Sequence, residues 1–143
     1  MQYDTKGIEE KKTDFPIIPP TPNMVGEITK IEDRNPVNKL PYISMEITVT
    51  AGDFSKRKLW DNIYVIGHDE EKTNNALGMF RTKQSDLGMS KEEIDANTNT
   101  EYFRSKVQGL KVQFDCYVAT FPAGNQSNRI KNIKKLEASN VPF

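Results

Sequence analysis

The chain has 143 residues, with a single cysteine, a single tryptophan and a single histidine, and its 20 basic side chains balance 20 acidic ones. This length suits one domain, and 36% hydrophobic with 28% charged residues is typical of a water-soluble globular protein. No apolar run approaches the roughly 18 residues of a membrane span, and the N-terminus lacks the hydrophobic stretch of a secretory signal. We therefore expect a cytosolic protein with no membrane association, either a monomer or a small homo-oligomer.

The N-terminal region is polar and then rich in proline. Proline fixes φ and cannot donate a backbone hydrogen bond, so residues 15–22, which contain four prolines, are excluded from helices and central strands. We predict an extended arm over residues 1–22, a single domain over 23–136 and a tail over 137–143. The arm could move freely, cover the domain or join a neighbouring subunit.

The first two strands follow the arm. We predict a strand over residues 24–32, which ends at a turn-forming Asp-Arg-Asn-Pro cluster. Residues 41–50 show the clearest alternation in the chain, with polar side chains facing outward at every second position. The predicted inward set is Ile43, Met45, Ile47 and Val49. A short turn over residues 51–55 then leads into the next strand.

The segment 56–66 combines three cations with the only tryptophan and a tyrosine. Side chains alternate along a strand, so one face can join the core while the other forms a stacking surface. The predicted outward set is Lys58, Trp60, Asn62 and Tyr64. Positive charge beside exposed rings is how proteins hold unpaired bases, because the rings stack on the bases and the cations attract the phosphates. The segment therefore predicts binding of single-stranded nucleic acid; the alternative is that the Trp60 indole caps one open end of the core.

About forty residues of helical and loop character follow Gly67. We predict a helix over residues 74–84, where Leu77 and Phe80 lie three positions apart. A second helix is expected to begin at Ser90, because Ser90 and Glu93 have the spacing of a capping box. Poor helix formers interrupt this helix, so residues 102–107 are expected to form a separate turn.

Strand character returns over residues 109–121. The predicted inward set is Leu110, Val112, Phe114, Cys116 and Val118. Cys116 has no second cysteine to pair with and is expected to be a small core residue. A loop over residues 122–127 leads to a basic last strand over 128–136, where the spacing of Ile130 and Ile133 indicates a bulge or a twist.

The charges are unevenly distributed although they sum to zero. Residues 104–136 hold seven cations and one anion, whereas residues 68–103 hold four cations and eight anions. The C-terminal third would attract a phosphate backbone that the middle of the chain would repel. The alternative is that these lysines form an ordinary solvated surface.

The predicted elements are three consecutive strands, a helical insertion and two further strands. This order predicts a mainly β protein, a five-stranded OB-fold barrel with a helical insertion between strands three and four. A small sandwich or another five-stranded barrel would have the same order of elements along the chain.

Several short segments carry a family resemblance through their order and spacing. They are the strand at residues 42–49, the RKLWDN pattern at 57–62, the GLKVQF pattern at 109–114 and the NRIKNI pattern at 128–133. Over about residues 25–136 the chain resembles phage-encoded single-stranded DNA-binding proteins of OB-fold type. The resemblance implies non-sequence-specific binding of single strands during viral DNA replication, recombination or repair in the host cytoplasm.

The candidate nucleic-acid contacts form two groups. The stacking group is Trp60, Tyr64, Tyr117, Phe121 and Tyr42. The group that would neutralise phosphates is Lys56, Arg57, Lys58, Lys111, Arg129, Lys131 and Lys134. For Tyr117 and Phe121 the alternative is that each ring is half-buried beneath a helix or the arm.

The C-terminal residues Val141, Pro142 and Phe143 resemble the hydrophobic tip with which bacterial-type single-stranded DNA-binding proteins recruit replication partners. A free carboxylate after Pro-Phe can dock in a basic, apolar pocket. The resemblance implies replication or recombination proteins as partners, and the alternative is a frayed terminus.

Catalysis is not expected. His68 is followed by three acidic residues, but adjacent side chains on a turn point apart and do not converge on a metal. No glycine-rich phosphate loop occurs, and no nucleophile has a plausible base. We expect no catalytic residue, metal or cofactor; the competing interpretation is a non-catalytic protein-interaction or structural viral module on a small β-barrel.

Overall fold

The computed structural model describes residues 1–7 and 16–137. Within them the strands are β1 (Thr21–Arg34), β2 (Tyr42–Val49), β3 (Lys58–Ile63), β4 (Lys111–Thr120) and β5 (Gln126–Lys135), and the helices are α1 (Glu70–Asp86), α2 (Lys91–Ala96) and α3 (Thr100–Val107). The strands form one antiparallel sheet in the order β3-β2-β1-β4-β5. The predicted mainly β class, the strand number and the helical insertion after β3 are confirmed for the described residues.

β1 is the longest strand and pairs along both of its edges. Its C-terminal part pairs with β2, and its N-terminal part pairs with β4. The two ladders overlap at Gly26 and Glu27. A Cβ atom at Gly26 would lie 2.7 Å from the side chain of Ile47 and 2.8 Å from the carbonyl of Thr48. Glycine permits this close approach of neighbouring strands. The sheet curls, so that β3 and β5 approach each other, although no ladder joins these two strands in the described part of the chain.

The core lies between the inner face of the curled sheet and the helices. Strand residues with less than 2% exposure include Ile28, Ile43, Met45, Ile47, Val49, Val112 and Phe114. The inward set predicted for β2 is confirmed, as are Val112, Phe114 and Cys116 of the set predicted for β4, whereas Leu110 and Val118 of that set are only partly buried. From the insertion, Phe103 is 1% exposed and meets the ring of Phe80 edge-on, with centroids 4.9 Å apart. Burial of each such side chain contributes about 1.5–3 kcal/mol to folding.

The helices begin at polar caps. Ser90 and Glu93 form the predicted capping box, in which each side chain accepts a hydrogen bond from the other residue's backbone N–H, at 3.1 and 3.2 Å. α1 begins at Glu70, four residues before the predicted start of the 74–84 helix. Asp69 caps this end by accepting a hydrogen bond from Lys72 N at 2.8 Å. The expected turn over residues 102–107 is instead helix α3, which begins two residues earlier, directly after the Asn99 cap.

The two C-terminal strands contain the expected irregularity. The β4–β5 register shifts between Gln113 and Asp115, and Asn132 has a φ of 56°. This bulge lets Ile133 face the core, where it is 4% exposed. Cys116 is buried as predicted, and burial raises the pKa of its thiol.

The N-terminal region joins the domain more closely than an arm over residues 1–22 implied. β1 begins at Thr21, which pairs with Cys116, and Ile18 is completely buried. Residues 16–22 therefore belong structurally with the sheet. The predicted partner-binding tip, Val141, Pro142 and Phe143, lies outside the described residues. No helix within residues 1–7 and 16–137 is long and apolar enough to cross a membrane.

Candidate nucleic-acid interface

A groove of about 1300 Å³ lies where β3 and β5 approach each other. One wall consists of residues 55–62, from β3 and the turn before it, and the other consists of residues 126–130 of β5. Tyr117 of β4 and Ile17 of the N-terminal region complete the lining. We refer to this set of residues as the groove.

Trp60 faces this groove from the outer face of β3. Along the strand Lys58, Trp60 and Asn62 are exposed, whereas Leu59 and Ile63 are buried. The alternation predicted for β3 is therefore confirmed. The indole is 54% exposed, so it does not cap the core. An aromatic face of this size is available for stacking on a flat apolar ligand.

The turn before β3 and the first residue of β3 together supply three cations to the groove. Lys56 has a φ of 76°, which is uncommon for a residue with a side chain, and its backbone N–H donates to Val49 O at 2.7 Å. Arg57 donates from Nη2 to Pro16 O at 2.8 Å. Lys58 Nζ lies 3.0 Å from Glu46 Oε1, so a phosphate at Lys58 would compete with this carboxylate. Three of the cations that line the groove are thus consecutive in the wall formed by residues 55–62.

The opposite wall adds Arg129, which pairs with Tyr117 across the β4–β5 ladder. Tyr117 is 37% exposed, and the Lys131 ammonium lies 5.3 Å from its ring centroid. The Arg129 guanidinium lies 5.4 Å from the centroid of Phe121. Each ring therefore already has a cation near it, and of the two rings only that of Tyr117 lines the groove.

The groove contains one acidic lining residue among the described residues, Asp61. Its carboxylate forms an ion pair with Lys83 of α1, which offsets its charge and ties β3 to the insertion. A second carboxylate, Asp115, accepts hydrogen bonds from Asn132 Nδ2 and Asn23 N, both at 2.9 Å. These hydrogen bonds lower the pKa of Asp115, so its negative charge persists beside Lys131 and Lys134 of β5.

The structure brings together six of the twelve candidate contacts. Those in the groove are Lys56, Arg57, Lys58, Trp60, Tyr117 and Arg129. Those outside its lining are Tyr42, Tyr64, Lys111, Phe121, Lys131 and Lys134. The rings of Tyr42 and Tyr64 lie 5.5 Å apart and contact each other beyond one end of the groove wall.

The groove lining includes residues that were not among the candidate contacts, and two of them, Ile17 and Asn128, join the N-terminal region to the groove. Ile17 and Ile18 are the only apolar pair between the prolines of a polar region, which was a usable signal for burial. Asn128 had no local signal, because its side-chain contacts are made with residues far away in the chain.

Comparison with known protein families found no match for this chain, and neither did comparison with curated proteins. The resemblance to phage single-stranded DNA-binding proteins therefore stays an expectation. Across the described ranges, no group of three or more His, Cys, Asp or Glu side chains is arranged to hold a metal ion.

Proposed function

We propose that the protein binds single-stranded nucleic acid, DNA in the first instance, in the groove between β3 and β5 and without sequence specificity. One observation carries the proposal: an exposed indole lies in the same groove as cations from the β3 turn and from β5. Aromatic rings stack on any base, and cations follow the phosphate backbone. This combination distinguishes a single-strand site from a general basic surface.

Each groove residue has a role in this proposal. Trp60 and Tyr117 stack on bases, and each stack contributes about 1–3 kcal/mol by truncation. Lys56, Arg57 and Arg129 contact phosphates and release counterions, which makes the affinity depend on salt. Lys58 contributes less because Glu46 already neutralises it.

The proposed fold is an OB-fold barrel. The order of strands and helices supports this, as do the pairing of β1 with both β2 and β4 and the approach of the edge strands β3 and β5. OB-folds bind oligonucleotides on the face of strands two and three and the adjoining loops. The groove occupies the corresponding position on β3.

The biological role we propose is viral DNA replication, recombination or repair, and it depends on the family resemblance of residues 25–136. Recruitment of replication proteins through Val141, Pro142 and Phe143 belongs to the same proposal. Catalysis has no part in it, because a site that only sequesters unpaired strands needs no reacting group.

A titration with labelled oligonucleotides tests this function. Oligo-dT, the corresponding oligo-dT·oligo-dA duplex and oligo-U are each titrated at low and at high salt, with fluorescence anisotropy as the readout. The proposal predicts preference for oligo-dT over the duplex and weakening with salt; oligo-U reports discrimination through the 2′-hydroxyl. Absence of binding to every oligonucleotide would favour a protein-interaction module instead.

A further inference from the structure

The N-terminal region is fastened to β5 by one amide side chain. Ile18 N donates to Asn128 Oδ1 at 2.9 Å, and Asn128 Nδ2 donates to Ile18 O at 2.8 Å. Asn128 thus satisfies both backbone polar groups of one buried residue, much as a neighbouring strand would. Asn128 Nδ2 also donates to Cys116 Sγ of β4 at 3.4 Å, and this contact further fixes the orientation of the amide.

The same region is fastened on the other side of the groove. Pro16 O accepts a hydrogen bond from Arg57 Nη2 at 2.8 Å. Between the two attachment points, the Ile17 side chain lines the groove and is 39% exposed. We call residues 16–18 the strap. The strap therefore links β5 to the turn that precedes β3.

This link matters because the described part of β3 and β5 shares no backbone ladder. The distance between the groove walls then depends on side-chain packing and on whatever spans the gap between them. The strap spans it with a charge-assisted hydrogen bond at one end and a two-hydrogen-bond amide contact at the other. Proline at position 16 restricts the backbone further, which lowers the entropy lost when the strap docks.

We propose that the strap is part of the nucleic-acid site and that Asn128 is a positioning residue. The hydrogen bonds from Asn128 fix the backbone of Ile18, and through the short strap they fix the position of the Pro16 carbonyl. That carbonyl orients the Arg57 guanidinium for a phosphate. Ile17 adds an apolar contact for a base or a sugar in the same groove. The inference rests on the proposed function, because it assigns further residues to the same site. An arginine held in place before binding loses less conformational freedom on meeting a phosphate.

A double-mutant cycle on oligo-dT affinity tests the coupling between Asn128 and Arg57. The full chain carries Asn128→Ala, Arg57→Ala or both, and thermal melts identify a temperature at which every variant is folded. We expect a loss of about tenfold for Arg57→Ala and about threefold for Asn128→Ala, and clearly less than the multiplicative thirtyfold for the double variant. Asn125→Ala, in the same hairpin but outside the groove lining, should bind as the wild type does.

Multiplicative losses in the cycle would overturn the proposal, and so would an Asn128→Ala variant that melts earlier but binds normally. If Asn128→Ala does not fold, Ile17→Ser provides the test, because its side chain is partly exposed and its loss leaves the core intact. We expect Ile17→Ser to weaken binding about threefold and Val37→Ser, an 85% exposed control, to have no effect. Normal binding by Ile17→Ser would refute the strap's role.

The same experiment separates the two proposals. A wild-type protein that binds no oligo-dT refutes the proposed function and the strap's role together. A wild-type protein that binds oligo-dT, with a cycle in which the losses multiply, refutes the strap's role alone.

Discussion

The groove and the helical insertion use similar residue types in opposite ways. In the groove, Trp60 and Tyr117 are exposed, and the lining has four cations and one anion among the described residues. In the insertion, Phe103 is buried against Phe80. Several charges there pair locally: Arg81 contacts Asp95 at 2.8 Å, and Lys106 contacts Glu93 at 2.9 Å.

This difference shows that the surroundings of a ring or a charge, and not its presence, indicate its role. A ring that packs edge-on in the core stabilises the fold, whereas a ring exposed beside cations offers a surface to a ligand. Residues 68–103 have more anions than cations and would repel a phosphate backbone. We therefore expect the rings of the insertion to stabilise the fold and the rings of the groove to bind the ligand.

The largest expected effect is on stability and comes from the insertion. Phe103→Ala removes a buried ring and its contact with Phe80, so the free energy of unfolding should fall by about 3–5 kcal/mol in urea titrations. Met79 of α1 is 75% exposed, so Met79→Ala should change the free energy of unfolding by less than about 0.5 kcal/mol. Equal stabilities of the two variants would contradict the packing described for the insertion.

Trp60→Ala should weaken nucleic-acid binding and leave the stability of the fold unchanged. Removal of the exposed indole should cost about 1–3 kcal/mol of oligo-dT binding, while the free energy of unfolding changes by less than about 0.5 kcal/mol. Anisotropy titrations and urea titrations on the same preparation separate the two quantities. Met79→Ala again serves as the control and should bind normally. A destabilised Trp60→Ala protein would place the indole among the core residues.

Arg129→Ala tests the charge difference between the two regions. Loss of one phosphate contact should reduce the slope of log affinity against log salt by about 0.7. Lys91→Ala, on the exposed face of α2, removes the same charge from the insertion and should leave the slope unchanged. Equal slope changes in both variants would mean that only the overall charge matters.

The smallest expected effect concerns the pH dependence of stability within the insertion. Hydrogen bonds from Tyr102 Oη, then from Lys106, and from the Ser90 backbone lower the pKa of Glu93 from 4.5 to about 2. Because the folded pKa is depressed, this stabilisation is present above about pH 4.5 and is lost as the pH falls toward about 2.

Glu93→Gln should therefore flatten the pH dependence of the melting temperature within that window. Glu92→Gln, on the exposed face of the same helix, is the matched control and should retain the wild-type profile. A Glu93→Gln profile that matches the wild type throughout this range would contradict the described contacts.

Local sequence patterns predicted most of the strand faces. β2, β3 and β4 follow the alternation of their apolar residues because one face of each must be buried. The capping box at Ser90 was equally visible, since it needs only two residues at fixed spacing. The longer α1 shows the limit of such patterns: its exposed first turn has no apolar periodicity, and the cap at Asp69 decides where it begins.

The composition of the candidate site was harder to predict because it depends on how the sheet curls. Tyr64 and Trp60 were assigned to one face, yet the groove includes only Trp60. Lys111 and Lys134 are exposed on β4 and β5 but lie beyond the groove lining. The Asn128–Ile18 contact joins residues 110 positions apart and leaves no local trace. Contacts of this kind require the three-dimensional structure.

The intrinsic fluorescence of Trp60 gives the most direct test, because it is the only tryptophan in the chain. The wild-type protein is titrated with oligo-dT, and its emission is followed at low salt. If bases stack on the exposed indole, the emission should be quenched to saturation, and added salt should restore it. Unchanged emission under conditions where anisotropy reports binding would mean that the strand binds elsewhere, and the central claim would be wrong.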